Sequence, residues 1–405
     1  NLRQVLSGYY EQKSHKLVPV ETCMIQNEEA MTAKRIVAEW ANLFDIRAFD
    51  EKQKSGTLRQ LMVRRTEGGT MAAIVTTGAL PHSDELVSML KRGLPSLASC
   101  IHGINRNPRD PGIGSKTELL FGSAELAETV CGLKFNVGAH SFLQVNPEQT
   151  QKLYLAAANA LNLTANDDVA DVFCGIGTIS LLLAQRARSV LGIEAVPPAV
   201  KDARRNAKLN NIKNAEFICE NAETALPRLV AEGKRFSAIL LDPPRRGAEK
   251  PALDAIVNSG AERIAYVSCN PATLARDCKI LAAAGYYPMS VQPVDMFPMT
   301  HHVETVVLLS KGEIDSKKVR VEFSLENMDM SGFQKGATYP QIKEYVREHS
   351  GLKVSSLYIS QVKRKCGLDV GQNYNLSKKE NVKQPQCPPE KELAIREAFN
   401  YFGML

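Results

Sequence analysis

The run Asp171-Val172-Phe173-Cys174-Gly175-Ile176-Gly177-Thr178 constrains the fold of this chain more than any other. It follows an apolar, strand-like stretch (Asp168–Val172) and precedes a helix-like one (Ile179–Arg188). Two glycines two residues apart let the backbone turn sharply and approach a ligand closely. Leu191-Gly192-Ile193-Glu194 reads as the next strand, ending in a carboxylate placed to hydrogen-bond a ribose hydroxyl. Strand, glycine turn, helix, strand and terminal acid call for an open, mostly parallel α/β sheet with helices on both faces. Dinucleotides and S-adenosylmethionine are both bound this way. The dinucleotide fingerprint wants a third glycine three residues on, where Ser180 stands, which favours the methyl donor.

A second strand, Arg263–Val267, delivers a cysteine to its own tip in Ser268-Cys269-Asn270-Pro271. Pro271 suits the first position of a helix. Ligands of open α/β sheets bind beyond the carboxyl ends of the strands, so Cys269 is a candidate nucleophile. Its place near a helix N-terminus leads one to expect a lowered thiol pKa. The plainer reading is a buried structural thiol. A third strand ends in Asp242-Pro243-Pro244-Arg245-Arg246-Gly247. Asp-Pro-Pro followed by an aromatic residue accompanies methylation of exocyclic amines. Arg245 offers no ring for stacking and weakens that alternative. Cys174, beside the glycine loop, is a rival nucleophile, disfavoured because that loop should wrap the cofactor.

The chain has 405 residues, enough for two or three domains, and a net charge of +6 that permits a polyanionic partner. Its nine cysteines lack small-domain spacing and point to a reducing, cytoplasmic setting. No apolar run approaches the roughly 18 residues of a membrane span. The start, Asn1-Leu2-Arg3-Gln4, has neither signal-peptide pattern nor initiator methionine, and upstream sequence is expected to be missing. Residues 1–140 read as a mixed α+β domain. Within it Arg59–Arg65 and Thr70–Thr77 form a hairpin about Glu67-Gly68-Gly69, Ser83–Arg92 is a helix, and Ser99–Arg106, Glu118–Phe121 and Lys134–Val137 are short strands. Residues 141–312 form the Rossmann-like α/β domain, closed by an apolar strand over His302–Ser310. Glu313–Val319 is a charged connector. Residues 320–405 are a small, mainly helical module: Thr338–Glu348, a turn at Ser350-Gly351-Leu352, Ser355–Cys366 ending in Lys363-Arg364-Lys365, and Glu390–Tyr401. Helix, glycine turn and basic helix outline a helix-turn-helix, or equally a helical pack with a basic cap.

Five motifs stand in order: Phe142-Leu143-Gln144-Val145-Asn146, Asp171-Val172-Phe173-Cys174-Gly175, Asp242-Pro243-Pro244-Arg245, Ser268-Cys269-Asn270-Pro271 and His302-Val303-Glu304-Thr305. In them the chain resembles the RNA (uracil-5-)-methyltransferases of the RumA/TrmA family over roughly residues 1–312. The run Ser268–Asp277 is more like the 23S rRNA branch than the tRNA one. The resemblance implies an S-adenosylmethionine-dependent methyltransferase fold. It implies that Gln144, Phe173, Thr178, Glu194, Asn221 and Asp242 surround the methyl donor, that Cys269 is the nucleophile and that Glu304 is the base. Many members also carry a four-iron four-sulfur cluster, with three cysteines upstream and a fourth in a segment resembling Val20–Ile25. Cys23 is then a former cluster ligand, or simply a buried thiol, and a [4Fe-4S] cluster needs upstream cysteines. Members often begin with a small RNA-binding β-barrel, which residues 1–140 are not expected to supply.

The chemistry follows from the target atom. Carbon 5 of uracil is a poor nucleophile until a thiolate adds to carbon 6. A base must then take the hydrogen from carbon 5 so that the thiolate is expelled. Glu304 opens an apolar run, where burial raises a carboxyl pKa and suits it as that base; an edge carboxylate in water is the alternative. Phe142 and Gln144, two apart in an extended run, share a face that offers one ring and one amide to an extruded base. Arg245, Arg246, Arg276 and Lys279 are candidates for the phosphate path, and each also reads as an ordinary solvated charge. His301 and His302 point to opposite faces of a strand and are unsuited to sharing a metal. The expected protein is a monomeric, cytoplasmic 23S rRNA methyltransferase. The alternatives are tRNA uridine-54 methylation, exocyclic-amine methylation and a non-catalytic RNA-binding protein.

Overall fold

The computed structural model describes residues 5–11, 14, 16–50, 53–107, 110, 112–300, 302–312, 320–321, 339–368, 386–402 and 404. Contacts divide the chain into two units, residues 1–323 and 324–405. The first begins with an antiparallel pair, β1 (Gly8–Tyr10) and β2 (Leu17–Pro19). Helix α1 (Glu28–Leu43) follows, capped by the Asn27 side chain, with Glu28 and Glu29 at the positive end of its dipole. Its buried Ala33, Ile36, Val37, Trp40 and Ala41 recur at helical spacing.

Strands β3 (Leu58–Thr66) and β4 (Gly69–Thr76) form a hairpin about Glu67-Gly68. Helix α2 (Ser83–Gly93) crosses over to β5 (Leu97–Ile104), parallel to β4, and β6 (Lys116–Gly122) completes a four-stranded sheet. Ser83 does not cap α2; that position falls to His82 in the left-handed region. Ala72 and Ile74 of β4 pack against α1 and α2, while Met71, Ala73 and Val75 face the opposite side. Strands β7 (Glu125–Val130) and β8 (Leu133–Gly138) join through Cys131-Gly132, both at positive φ, as a tight hairpin turn requires.

The elements that carry the predicted site then alternate: α3 (Pro147–Ala160), β9 (Asp168–Val172), α4 (Thr178–Ala184), β10 (Ser189–Glu194), α5 (Pro197–Leu209), β11 (Ala215–Cys219), α6 (Ala222–Ala231), β12 (Ala238–Leu241), α7 (Lys250–Asn258), β13 (Arg263–Ser268), α8 (Pro271–Ala283), β14 (Tyr286–Val294), β15 (Glu304–Lys311) and β16 (Arg320–Val321). The sheet order is β11-β10-β9-β12-β13-β15-β14-β16. β11 to β13 are parallel, and β15 runs antiparallel between β13 and β14. Both faces are covered. Ala238, Leu240, Ala265 and Val267 pack towards α3, α4 and α5; Ile239, Leu241, Ile264 and Tyr266 pack towards α6, α7 and α8. This alternation within continuous apolar runs is what a doubly covered parallel sheet demands. The helix predicted over Ile179–Arg188 is shorter, ending at Ala184, and the last apolar strand begins at Glu304, two residues after His302. Phe142 and Gln144 lie in an irregular loop, because no strand pairs with this segment.

The second unit holds α9 (Tyr339–Ser350), α10 (Ser356–Lys365) and α11 (Pro389–Tyr401). Ile342, Val346, Ile359, Val362, Ile395 and Phe399 form its core. Ser355 caps α10, and Gly367 follows it at φ +70°. The connector Glu313–Val319, together with His301 and Pro385, lies outside the described residues. Among the described residues no helix is long and apolar enough to cross a membrane.

Candidate active site

Where β9 ends, Phe173 turns at φ +69°, and the N–H groups of Phe173 and Cys174 donate to the Ile193 carbonyl at 2.9 and 3.1 Å. Gly177 follows at φ +83°, where a Cβ would lie 3.1 Å from the Phe217 ring. Only glycine satisfies both that conformation and that contact. Thr178 opens α4. Glu194, at the tip of β10, binds the loop from outside: its carboxylate accepts from Gly175 N–H at 3.0 Å and Val196 N–H at 2.9 Å. Each oxygen retains a lone pair for a ligand hydroxyl. Asn221 follows β11 at the cap position of α6, yet its side chain makes no capping bond. It is exposed and free to meet a ligand. This glycine turn, with a carboxylate and an exposed amide beside it, fits an adenosyl ligand.

Two acids lie beside this turn, Asp171 buried and Asp242 half-buried. Asp171 accepts from Ser180 Oγ at 2.5 Å, and burial pushes its carboxyl up to about 7. Asp242, just past β12, is pushed up to about 8 by burial, with Glu304 and then Asp171 adding to the effect. The buried Tyr154 of α3 lies near Thr178 and both aspartates. Sequence reasoning misses Tyr154, which stands at an ordinary apolar-facing helix position and shows its hydroxyl's role only in three dimensions.

Cys269 leaves β13 at the other side of this crevice. Ser268 Oγ accepts from the Asn270 N–H at 3.1 Å. Asn270 caps α8 by accepting from Ala272 N–H at 3.1 Å, and its amide donates to the Arg245 carbonyl at 3.0 Å. Thr273 Oγ1 reaches the same carbonyl at 3.3 Å. The Asp242–Gly247 loop is thereby tied to the cysteine turn. Ser268 pairs with Thr305, so the register sets Glu304 opposite Cys269. Glu304 is 3% exposed, and burial raises its carboxyl, with Arg245 opposing. The Arg245 guanidinium lies near enough to the Cys269 thiol to draw its pKa down.

The lowered pKa expected for Cys269 is not found. Burial raises the thiol, and Glu304 and Asp242 raise it further, against the pull of Arg245. The helix N-terminus is outweighed because desolvation disfavours any thiolate. Cys174 is a core residue: it is buried, its thiol lies well above the usual range, and its sulfur would touch a Cβ placed on Gly192. Arg276 is exposed and anchored at its base by a buried partner. It pairs with buried Asp277 and donates to the Arg246 carbonyl at 2.9 Å, while Asp277 also accepts from Ala248 N–H at 2.9 Å and Tyr266 hydroxyl at 2.6 Å. These contacts tie Arg276 to the Asp242–Gly247 loop while leaving about half of its side chain, 52%, exposed. Arg246 pairs with Glu249 at 3.3 Å. Phe142 is 69% exposed and Gln144 half-buried.

Cys23 is half-buried and lies near the Tyr9 hydroxyl. Among the described residues no group of three or more His, Cys, Asp or Glu residues could hold a metal, so they do not by themselves fit a four-cysteine cluster.

A family profile described as tRNA (Uracil-5-)-methyltransferase matches residues 127–312. An uncharacterized RNA methyltransferase of Halalkalibacterium halodurans is 42% identical over 308 residues, which cover 75% of this chain and 67% of that one. One from Caldanaerobacter subterraneus subsp. tengcongensis is 41% identical over 312 residues, covering 76% and 69%. Among solved structures, the Pyrococcus abyssi tRNA (uracil-54, C5)-methyltransferase in complex with S-adenosyl-L-homocysteine is similar at a TM-score of 0.60 and 26% identity, covering 74% of this chain and 72% of that one.

Proposed function

This chain belongs to the RNA (uracil-5-)-methyltransferase family and is an S-adenosylmethionine-dependent RNA methyltransferase, and from that premise we propose that it methylates carbon 5 of a uridine in 23S rRNA through a covalent adduct on Cys269. The observation that carries the mechanism is the meeting of Cys269, Glu304 and Arg245 across one crevice from Asp242 and the glycine loop. A cytoplasmic monomer is part of the same reading.

Cys269 gives up its proton to water, and Arg245 stabilises the thiolate that attacks carbon 6. Electron density moves to carbon 5 and oxygen 4. When bound, S-adenosylmethionine supplies an electrophilic methyl group to carbon 5. Glu304 then takes the carbon 5 proton, the electrons of that C–H bond restore the carbon 5–carbon 6 double bond, and the thiolate of Cys269 leaves. A buried carboxyl with a raised pKa is a stronger base than one in water, which suits this step. Glu194, Asn221, Phe173, Thr178, Gln144 and Asp242 hold the methyl donor. Phe142 stacks on the extruded base, Arg245 also meets the substrate, and Arg276 fixes the loop that carries Arg245. An exocyclic-amine target needs no thiol, and the pairing of Cys269 with Glu304 argues for carbon 5.

The resemblance of Ser268–Asp277 to the ribosomal branch supports 23S rRNA. The likeness to a tRNA (uracil-54, C5)-methyltransferase supports tRNA as the second reading. Mapping 5-methyluridine in total RNA from cells lacking the protein separates them: loss from 23S rRNA supports the first, and loss from tRNA alone the second. For the mechanism, Cys269→Ala should abolish methyl transfer and leave S-adenosylmethionine affinity, read by calorimetry, nearly unchanged. Appreciable turnover by this variant would sink the covalent route.

A further inference from the structure

Between β8 and α3 the chain passes through residues 139–146 without regular structure, and its two ends are tied down differently from its middle. At the far end Asn146 caps α3 by accepting from Gln149 N–H at 3.2 Å, and its amide lies 3.4 Å from the Met296 carbonyl. At the near end a turn forms between Gly138 and Ser141. Ser141 N–H donates to the Gly138 carbonyl at 3.2 Å, and Gly138 N–H donates to Ser141 Oγ at 3.0 Å. Ser141 Oγ in turn donates to Asp202 of α5 at 2.9 Å. Arg205 bridges Asp202 at 2.8 Å and Glu125 of β7 at 2.5 Å. Ser141 is 5% exposed, whereas its neighbour Phe142 is 69% exposed.

One cation reaches this turn from another sheet. Arg64 of β3 donates through one terminal nitrogen to the Gly138 carbonyl and through the other to the Ser141 carbonyl at 2.5 Å. Among the described residues it makes no ion pair. A desolvated guanidinium facing only carbonyls is an expensive way to satisfy two backbone acceptors. What it supplies is geometry: a rigid planar fork binds two carbonyls at a fixed separation, which a lysine or a neutral amide does not reproduce.

We propose that Arg64 is a positioning residue, whose fork on Gly138 and Ser141 fixes the turn from which Phe142 projects and so presents that ring to the extruded base. The inference rests on the proposed role of Phe142. It gives the four-stranded N-terminal sheet a part in base capture, since β3 belongs to that sheet and the loop does not.

Two measurements on the full chain test it. The first is amide hydrogen exchange in Arg64→Lys and Arg64→Met. Exchange should rise at least several-fold in peptides spanning 138–146 and stay unchanged in α1, β4 and β5. Unchanged exchange at 138–146 would overturn the proposal, and so would uniform loosening of the whole sheet, which would make Arg64 merely structural. The second is a double-mutant cycle with Phe142→Ala, read as kcat/KM for RNA. Arg64→Lys should reduce kcat/KM about tenfold in the wild-type background and have little further effect once the ring is gone. Full additivity would contradict action through Phe142. Should Phe142→Ala alone leave turnover intact, the base-stacking reading falls by itself, and the exchange data still decide whether Arg64 holds the turn.

Discussion

A guanidinium beside a thiol and a carboxylate favours the charged form of each. Arg245 occupies that place between Cys269 and Glu304, and it is the only influence among those named on the thiol that comes from a positive charge. Burial and two carboxyls work against the thiolate, and Arg245 opposes them. Arg245→Gln should move the pH profile of Cys269 alkylation upward, because removing the cation raises the thiol pKa. At a fixed pH below the midpoint, labelling then slows. Mass spectrometry of the Cys269 peptide after timed iodoacetamide treatment reads this directly. A profile identical to wild type would show that Arg245 leaves the thiol unaffected. Arg245→Lys should recover part of the shift, since it keeps the charge but loses the planar fork.

At the scale of elements, the tips of β9 and β12 each carry a carboxyl whose pKa burial raises, Asp171 up to about 7 and Asp242 up to about 8. Both values lie above that of an unfolded aspartate, about 4. The folded protein therefore binds more protons than the unfolded chain across that interval, and stability falls as pH rises through it. Through these two groups the melting temperature of the ligand-free protein should drop from about pH 4 to about pH 8 and level off above it, and Asp242→Asn should lessen the drop. An equally steep decline in that variant would remove Asp242 from the account. None of this coupling is legible in sequence, because Asp171 and Asp242 meet only through the pairing of β9 with β12. Local features are more legible. The β3–β4 hairpin is announced by Glu67-Gly68-Gly69, and α8 by Asn270-Pro271. The reading assigns nothing to α1, although Asn27, two glutamates and a spaced apolar stripe mark it plainly. It also passes over β7, whose alternation and Cys131-Gly132 turn are visible signals. The loop at Phe142 misleads in the other direction: alternation resembles a strand, but a strand also needs a partner. The position of β15 between β13 and β14 is likewise a long-range choice that an apolar run does not encode.

For the whole molecule, every group proposed for chemistry lies in the first unit, and the second adds a helical module with its own core. The basic end of α10 is less free than its sequence implies. Lys365 pairs with Glu392, and Lys363 lies over the Tyr339 ring at 5.3 Å. Replacing Lys363, Arg364 and Lys365 together by alanine should leave kcat at saturating RNA unchanged. Because two of the three are already engaged, it should flatten the log–log salt dependence of RNA affinity by about one unit rather than three. A loss of three units would mean that both contacts yield to phosphate, and no change would mean that the module does not grip RNA. The central claim concerns the entire catalytic cycle, in which Cys269 opens the adduct and Glu304 lets it go. Its most direct test is denaturing electrophoresis of Glu304→Gln after incubation with S-adenosylmethionine and substrate RNA. The account predicts a protein–RNA band that survives denaturation and vanishes when Cys269→Ala is added. Free methylated RNA released at the wild-type rate, with no such band, would contradict it.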